Sequence, residues 1–395
     1  MPRERRRLRA WLVVASALVP GAAACGGILA VDGRQPLDAG TGDDGSSSDD
    51  GGPASQGDGA GGSSSDSASR SDAGAMPPVS CGGAPCVLAT GLDFPFEVAS
   101  DDKNVYWTEY GEEQSGVNGA VKGCPISGCG SGPTIYASAL TFPRGITVDG
   151  THIYFGTASF EDIPGAIWSC PVTGCNGSPT KLSDAEVPYG IAVDSTRVYW
   201  ADYYDDTVHS VPKAGGSASA LLFDGGGLAT EGELITADSA FLYFTDGSGD
   251  VYKLPIGGGD AIQMASWNYG GGWPVVVDST TVYYGQLGGV SAMSKDATKG
   301  GAFIVSNLRD PLGLVLDPTT RLLYWADYGT GTGIDGTIGR VATDGSGRTL
   351  IASSQINVED ITVAGNYVFW ISSGIVTDLH GTPQPGSGEL LRMPK

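Results

Sequence analysis

Seven copies of one short pattern, two adjacent aromatic residues inside an apolar run, recur along most of this chain. The pairs are Tyr106-Trp107, Tyr154-Phe155, Tyr199-Trp200, Tyr243-Phe244, Tyr283-Tyr284, Tyr324-Trp325 and Phe369-Trp370. Successive copies are 40 to 48 residues apart, and no helical pattern lies between them. A period of this length is typical of a chain in which one small unit is built several times and each copy packs against the next.

Each copy belongs to a unit of four short runs. A first run, such as 145–149, ends in an aspartate, which favours a tight turn into the aromatic run. A glycine-led third run follows, such as 165–171, and then a fourth, such as 134–137. Four short antiparallel strands joined by Gly, Asp and Pro turns make one blade of a β-propeller. We therefore predict an all-β, seven-bladed β-propeller of four-stranded antiparallel blades over residues 81–395.

The two ends of the repeat region are complementary. The last unit stops at residues 390–395, which match the third strand of other units, so its fourth strand is missing. Residues 81–89 match a fourth-strand region at 129–137. We expect the N-terminal strand to complete the C-terminal blade, because this pairing closes the ring and leaves no edge strand between the first and last blades.

The first 24 residues are typical of a signal peptide. An arginine-rich start precedes the uncharged stretch 10–24, which is too short to span a bilayer of about 30 Å comfortably. The stretch ends in Ala22-Ala23-Ala24-Cys25, which resembles a bacterial lipobox, although Ala22 stands where Leu is preferred and ordinary signal peptidase also accepts Ala22-x-Ala24. We expect an exported lipoprotein lipidated at Cys25, in the outer membrane, the periplasm or at the cell surface; a secreted soluble protein is the alternative.

Residues 25–80 consist of the lipobox cysteine and a segment rich in Gly, Ser and Asp without an aromatic residue. Such a segment cannot bury enough apolar surface to offset the entropy lost on ordering. We expect a disordered tether, with the membrane reached only through the lipid anchor.

The chain carries 44 acidic and 22 basic residues, a net charge of −22, which excludes binding to a nucleic acid backbone. Nine of the acidic residues lie in the tether, so most of the negative charge belongs to the predicted propeller. This charge favours neutral or cationic ligands.

Six cysteines remain after Cys25, in three pairs of equal spacing: Cys81/Cys86, Cys124/Cys129 and Cys170/Cys175. The second and third pairs bracket turns between the third and fourth strands, which places their Cα atoms within disulfide range. We predict three local disulfides, as expected in an oxidising compartment. A zinc site is the alternative, but four intervening residues are at the upper end of the usual spacing, and the pairs lie in isolated turns.

Two sets of motifs resemble known propeller families. Tyr199-Trp200-Ala201-Asp202 and Tyr324-Trp325-Ala326-Asp327 resemble the YWTD signature of low-density lipoprotein receptor propellers, and Pro143–Asp149 and Pro188–Asp194 resemble NHL-type propellers. The YWTD receptors have six blades, whereas seven are counted here. The signal, tether and Cys-Pro-x-x-Gly-Cys hairpins are similar to those of exported myxobacterial propeller lipoproteins. Because such folds host both binders and enzymes, the resemblance does not imply a single function.

Counting back from the aspartate that ends each first strand selects residues at the mouth of the central channel. The position five residues before the aspartate is occupied in five of the blades by Arg144, Tyr189, Glu233, Trp273 and Glu359. The position four residues before it is occupied by Glu97 and Asp360 in two adjacent blades. Glu97, Glu359 and Asp360 are candidates for a Ca²⁺ site, for pairing with Arg144 or hydration, or for catalytic acid–base chemistry.

Aromatic residues in the loops of the same face provide a second set of candidates. Trp267, Tyr269 and Trp273 flank three glycines in one inter-blade loop, and further rings include Tyr110, Phe142 and Tyr203. Rings near carboxylates suit sugar or peptide recognition, whereas packing between blades is the alternative for Trp273 and Phe142.

These observations predict a monomeric, lipid-anchored propeller that binds a protein, peptide or carbohydrate ligand at the cell envelope. The alternative is a Ca²⁺-assisted hydrolase or lyase that uses Glu97, Glu359 and Asp360. No other cofactor and no catalytic residue outside that set is expected.

Overall fold

The protein was analysed as a computed structural model, which describes residues 83–111, 116–203, 207–216, 220–224, 234–266, 273–297, 300–331, 334–375 and 384–395. Contacts divide the chain into two units, Met1–Ala75 and Met76–Lys395, and all described residues belong to the second. The predicted signal peptide, Cys25 and residues 26–80 therefore lie outside the described ranges.

The described residues form seven four-stranded antiparallel sheets and contain no helix, which confirms the predicted seven-bladed propeller. The first strands of the blades are β2 (Pro95–Ser100), β6 (Pro143–Val148), β10 (Pro188–Val193), β14 (Ile235–Ala237), β18 (Val275–Val277), β22 (Pro311–Leu316) and β26 (Val358–Ala364). The second strands are β3 (Asn104–Glu109), β7 (His152–Thr157), β11 (Arg197–Asp202), β15 (Phe241–Thr245), β19 (Thr281–Gln286), β23 (Leu322–Asp327) and β27 (Tyr367–Ser372).

The third strands are β4 (Gly119–Pro125), β8 (Gly165–Pro171), β12 (Thr207–Pro212), β16 (Val251–Pro255), β20 (Gly289–Ser294), β24 (Gly336–Ala342) and β28 (Gly388–Pro394). The outer strands are β5 (Thr134–Leu140), β9 (Thr180–Ala185), β13 (Ala220–Asp224), β17 (Ile262–Ala265), β21 (Ala302–Ser306), β25 (Thr349–Gln355) and β1 (Cys86–Leu92). Each first strand contacts the first strands of both neighbouring blades, so these seven strands form a closed inner ring.

The ring closes as the sequence predicts. Strand β1 pairs antiparallel with β28, with Cys86 opposite Arg392 and Leu92 opposite Gly388. Blade 7 is thus built from both ends of the repeat region, in the order β1-β28-β27-β26. Among the described residues there is also no helix long and apolar enough to cross a membrane.

The paired aromatics explain why the blades stack. Adjacent residues of a strand point to opposite faces of the sheet, so the two rings of a pair enter two different inter-blade cores. Tyr106 of blade 1 packs with Phe155 of blade 2, and Tyr154 of blade 2 packs with Trp200 of blade 3. The same arrangement continues to Phe369 of blade 7, which packs with Trp107 of blade 1. Both faces of every aromatic strand are therefore buried, as in a continuous apolar run.

Aspartates fix the turns between the first and second strands. Asp194 Oδ1 accepts hydrogen bonds from the Thr196 and Arg197 amides, and its Oδ2 accepts one from the Tyr199 hydroxyl. At Asp238 a lysine of the following blade, Lys295, adds an ion pair of 2.6 Å. Burial acts to raise the pKa of Asp238, but the hydrogen bonds from Lys295 and from backbone amides outweigh it and hold that pKa below its ordinary value.

The aspartate of the YWTD-like runs has a different structural role. Asp202 accepts hydrogen bonds from the amides of Glu186 and Val187, directly before the first strand of its own blade. Asp327 binds the amides of Arg309 and Asp310 in the same way. The signature thus fixes the loop that enters each of these blades at the channel mouth.

Two of the predicted disulfides are present, Cys124–Cys129 and Cys170–Cys175. Cys86 is also disulfide-bonded, and its predicted partner Cys81 lies outside the described residues. The Cys124 side chain belongs to the core between blades 7 and 1, and Cys170 to the core between blades 1 and 2. The hairpins therefore support inter-blade packing as well as their own turns.

Candidate binding site at the channel mouth

The inner ring of first strands encloses a channel with a cavity of about 360 Å³. All seven first strands or the residues next to them contribute to its wall. Of the residues predicted at the mouth, Glu97, Tyr189, Glu359 and Asp360 line this cavity. Its three acidic groups come from two adjacent blades, 7 and 1, so the wall is strongly asymmetric.

Glu97 and Asp360 connect consecutive blades through hydrogen bonds to backbone amides. Asp360 Oδ2 of blade 7 accepts a hydrogen bond of 2.9 Å from the Val98 amide of blade 1. Glu97 Oε2 of blade 1 accepts one of 2.8 Å from the Ile146 amide of blade 2. The second oxygen of Glu97, Oε1, is buried and has no hydrogen-bond partner among the described residues.

Glycines occupy the same ring position in three other blades, and at two of them the strands approach each other directly. A Cβ atom built on Gly145 lies 2.2 Å from the Tyr189 carbonyl oxygen, and one built on Gly313 lies 3.0 Å from Asp360 Cα. The variation around this ring thus has a structural component. Glycine allows close backbone contact between two blades, whereas Glu97 and Asp360 each join two blades by accepting a hydrogen bond from a backbone amide.

The environment of the channel raises the pKa of each of its carboxyl groups. Burial, with a smaller contribution from the Asp360 charge, raises the pKa of Glu97 to about 8, against the opposing effects of the Ile146 amide and Arg144. Burial raises the pKa of Asp360 to about 7. Burial, with the charges of Asp310 and Asp360, raises the pKa of Glu359 to about 7. Near neutral pH the cluster therefore holds bound protons.

The calcium hypothesis depends on the same three side chains. Within the described ranges, no three His, Cys, Asp or Glu side chains are grouped so that they could hold a metal ion. One oxygen of Glu97 and one of Asp360 are engaged by backbone amides. Calcium binding by Glu97, Glu359 and Asp360 stays a prediction, as does the hydrolase or lyase activity linked to it.

Next to the acidic side of the channel, Arg144 is surrounded by aromatic rings. Its guanidinium carbon lies 4.7 Å from the ring centre of Tyr189, 5.0 Å from that of Tyr110 and 5.3 Å from that of Phe96. These rings come from blades 3 and 1, whereas Arg144 is the second residue of the first strand of blade 2. Cation–π contacts of this kind hold the arginine across the boundaries of three blades.

The aromatic cluster continues outward from Arg144 on both sides. Tyr110 stacks on Phe142 at 4.5 Å, and Phe142 meets Phe160 edge-on at 5.2 Å. On the other side Tyr189 stacks on Tyr203 at 5.3 Å. We call this set the mouth surface; its members are Phe96, Tyr110, Phe142, Arg144, Phe160, Tyr189 and Tyr203.

The backbone at one member of the mouth surface is strained. Phe142 has a φ of 40°, in the left-handed region that bulky residues seldom adopt, and Phe94 occupies the matching place in blade 1 with a φ of 51°. Each of these residues precedes the proline that begins the first strand of its blade. Strained residues of this kind are concentrated at binding sites.

Other predicted site residues lie elsewhere or outside the description. Trp273 is only 4% exposed, and its carbonyl accepts a hydrogen bond from Thr245 Oγ1, so it occupies the packing position that the sequence left open. Glu233, Trp267 and Tyr269 lie outside the described residues.

Sequence reasoning missed Phe160 and Asp310. Phe160 lies three residues after the second strand of blade 2, whereas Tyr110 and Tyr203 directly follow theirs, so counting along the repeat does not identify it. Asp310 precedes the first strand of blade 6, and burial with the Asp327 charge raises its pKa to about 6.

Comparison with known proteins supports the fold. No family model matches the chain. The WD40 β-propeller domain of Doa1 is similar, with a TM-score of 0.56 and 10% identity over 79% of this chain and 95% of that one. A chain of the nidogen/laminin complex gives a TM-score of 0.41 at 17% identity, covering 65% of this chain and 82% of that one. The computationally designed Ika8 protein gives a TM-score of 0.47 at 11% identity, covering 78% of this chain and 98% of that one. The likeness to the Doa1 domain shows the propeller fold alone.

Proposed function

We propose that this protein is a binding module that captures a protein or peptide ligand on its mouth surface. The observation that carries the proposal is the arrangement of six aromatic rings and Arg144 across blades 1 to 3, beside the opening of the channel. Tyrosine and arginine are the residue types that most often dominate protein interfaces, because they combine large contact area with hydrogen bonding. The side chains of the surface are half-buried, so the rings are held in place before a ligand binds.

Charge restricts the class of partner. The chain has a net charge of −22, so a strongly acidic partner is repelled at long range, and neutral or basic segments approach more readily. Carbohydrates are the other class of ligand that suits aromatic rings beside polar groups, and a glycan array tests for them.

The proposal also assigns a cellular place. The disulfides indicate an oxidising environment, and residues 1–24 are typical of an export signal. We propose residues 81–395 as the propeller of an exported lipoprotein of the YWTD/NHL-like kind, acting as a monomer. Cys25 is its lipid-bearing N-terminus, and residues 26–80 are the tether that holds the propeller at the cell envelope.

Binding arrays test the ligand assignment. We expect residues 76–395 to bind members of a peptide array, and Tyr110→Ala to weaken each interaction by about tenfold or more, since central aromatic contacts contribute this much. The matched control is Ile135→Ala, which removes a 57% exposed side chain on outer strand β5 and should leave binding unchanged. Binding to a glycan array instead of the peptide array contradicts the choice of ligand class. Equal binding by wild type and Tyr110→Ala contradicts the choice of surface.

A further inference from the structure

Exposed aliphatic side chains mark the loops between the second and third strands. Five of these loops, on blades 1, 2, 5, 6 and 7, each present one; the side chains are Val117, Ile163, Leu287, Ile334 and Ile375. These loops and the entries to the first strands lie on one side of the ring, which we call the mouth face because the mouth surface belongs to it. On the opposite face, the loops that the structure describes contain no exposed large hydrophobic side chain. Exposed apolar groups that are gathered on one face indicate an interaction surface.

Charge distinguishes the two faces in the same way. All nine acidic residues within the described strands lie in the half of their strand nearer to the mouth face, whereas the seven Lys and Arg residues within strands are found in both halves. The described loops of the mouth face add eight acidic residues and one basic residue, Arg309. On the opposite face, the described loops and the C-terminal residue hold ten acidic and six basic residues, which form four ion pairs. The excess of negative charge therefore lies on the mouth face.

Both properties are present in a hairpin of blade 2 that borders the mouth surface. Phe160 and Ile163 form an antiparallel bridge with two backbone hydrogen bonds of 2.9 Å, and Glu161 and Asp162 make the turn between them. The side chains of Glu161, Asp162 and Ile163 are exposed. The ion pairs between described residues include neither of the two acidic groups. The tip of this hairpin thus presents two carboxylates beside an aliphatic side chain.

Neighbouring blades hold the hairpin in place from both sides. The Ser159 amide donates a hydrogen bond of 2.7 Å to the Glu186 carbonyl at the entry to blade 3. Gly116 of blade 1 lies against the Phe160 ring, since a Cβ atom built on Gly116 is 2.4 Å from Phe160 Cε1. The residue after Gly116 is Val117, which is 39% exposed. Val117 and Ile163 therefore both adjoin Phe160, and this apolar area continues the mouth surface with its groups oriented before a ligand binds.

We propose that the ligand of the mouth surface is a basic amphipathic segment of a protein, in which aliphatic residues are interspersed with Lys or Arg. Its aliphatic side chains pack against Val117, Phe160 and Ile163, and its cationic groups pair with Glu161 and Asp162. Exposed ion pairs alone contribute little affinity, so the apolar contacts supply most of it. The charge of the face accelerates association and disfavours acidic competitors. This inference rests on the proposed function, because it names the chemistry of the ligand for that same surface.

Fluorescence anisotropy with three dye-labelled peptides of equal length tests the proposal on the purified protein. One peptide alternates Leu with Lys, the second Ser with Lys, and the third Leu with Glu. At about 0.15 M salt, where distant charges are screened, we expect the Leu/Lys peptide to bind wild type about tenfold more tightly than either of the others. The Ser/Lys peptide lacks the apolar contacts, and the Leu/Glu peptide is repelled by the acidic face.

Two matched pairs of variants locate the contacts of the Leu/Lys peptide. Ile163→Ser should weaken its binding about fivefold or more, whereas Leu350→Ser, which removes a 55% exposed side chain from outer strand β25, should leave binding unchanged. Glu161→Gln/Asp162→Asn should weaken binding about tenfold and make it less dependent on salt. Asp260→Asn/Asp296→Asn removes the same charge from the opposite face and should have no effect. All these side chains are exposed, so the variants should fold.

Equal binding of the three peptides by wild type, or an equal loss of affinity in each variant and its control, overturns this inference. The peptide array gives a separate result. If its binders depend on Tyr110 but are neutral or acidic, the inference is wrong and the proposed binding face stands. If its binders bind Tyr110→Ala as well as wild type, the proposed function is contradicted whatever their charge.

Discussion

At the level of single residues, the carboxyl groups of this propeller fall into two classes with opposite pKa shifts. The turn aspartates, such as Asp194 and Asp238, are surrounded by donors, and their pKa values lie below the ordinary value. The channel groups Glu97 and Asp360 accept few hydrogen bonds in a buried setting, and their pKa values are raised. The first class stabilises the fold at neutral pH, whereas the second reduces stability there.

Glu97→Gln should therefore make stability less dependent on pH. The folded-state pKa of Glu97 is about 8 against an ordinary 4.5, so its contribution to stability is fully present below about pH 4.5 and is lost as the pH rises toward about 8. Between urea denaturation at about pH 5 and at about pH 8, the free energy of unfolding of the variant should gain on the order of 3 kcal/mol relative to that of wild type. A difference between the two proteins that stays constant with pH contradicts the shift. Thr147→Ser, elsewhere on the channel wall, serves as the control.

Sequence reasoning located the acidic residues of the channel but not their bonding. Counting along the repeat places Glu97 and Asp360 at equivalent positions in adjacent blades, because the first strands recur in register. Their acceptor role toward the Ile146 and Val98 amides depends on the distance and register between neighbouring blades, which are tertiary contacts. Such distances between blades are not encoded in any local pattern.

At the level of strands, the paired aromatics and the hairpin disulfides act on the same boundaries. Each aromatic pair supplies one ring to each adjacent core, and Cys124–Cys129 lies in the core where the first and last blades meet. Within that disulfide loop, the Ile126 carbonyl accepts a hydrogen bond from the buried Arg392 of β28. The hairpin between the third and outer strands of blade 1 thus contacts β28, the strand that pairs with β1 to close the ring. The repeat predicted the closing pair; the Arg392 contact depends on tertiary packing.

Removing Cys124–Cys129 should weaken ring closure specifically. For Cys124→Ala/Cys129→Ala we expect a loss of about 2 kcal/mol in the free energy of unfolding, as a short disulfide loop provides. Because Ile126 packs at the closing boundary, amide hydrogen exchange in β1 and β28 should also become faster. The matched control is Cys170→Ala/Cys175→Ala, with equal spacing but at the boundary of blades 1 and 2. Equal exchange of β1 in both variants contradicts a special role in closure.

At the level of the whole molecule, a closed ring of first strands places the mouth surface beside the opening of the channel. The mouth surface gathers residues of three blades, and the channel cavity is lined by residues of all seven. The repeat made the ring and its acidic positions predictable. The aromatic cluster around Arg144 was predicted only in part. Contacts between aromatic rings of different loops depend on the backbone conformations of those loops, such as the positive φ of Phe142.

The proposed cellular role of the propeller depends on the proposed N-terminal lipid anchor. Cys25→Ala removes the side chain that carries the proposed lipid. We expect the variant to move from the membrane fraction to the soluble fraction of the expressing cell, and Ser80→Ala in the tether to leave wild-type partitioning unchanged. A Cys25→Ala protein that remains with membranes to the same extent as wild type contradicts the lipid anchor.

The most direct test of the central claim is to measure where a bound ligand protects the propeller. Amide hydrogen exchange is compared for residues 76–395 with and without the tightest peptide from the array. The mouth surface predicts protection in residues 109–111, 141–146 and 158–160, with outer strands such as β5 and β13 unchanged. Protection confined to the outer strands, with the mouth surface unaffected, contradicts the proposed binding face.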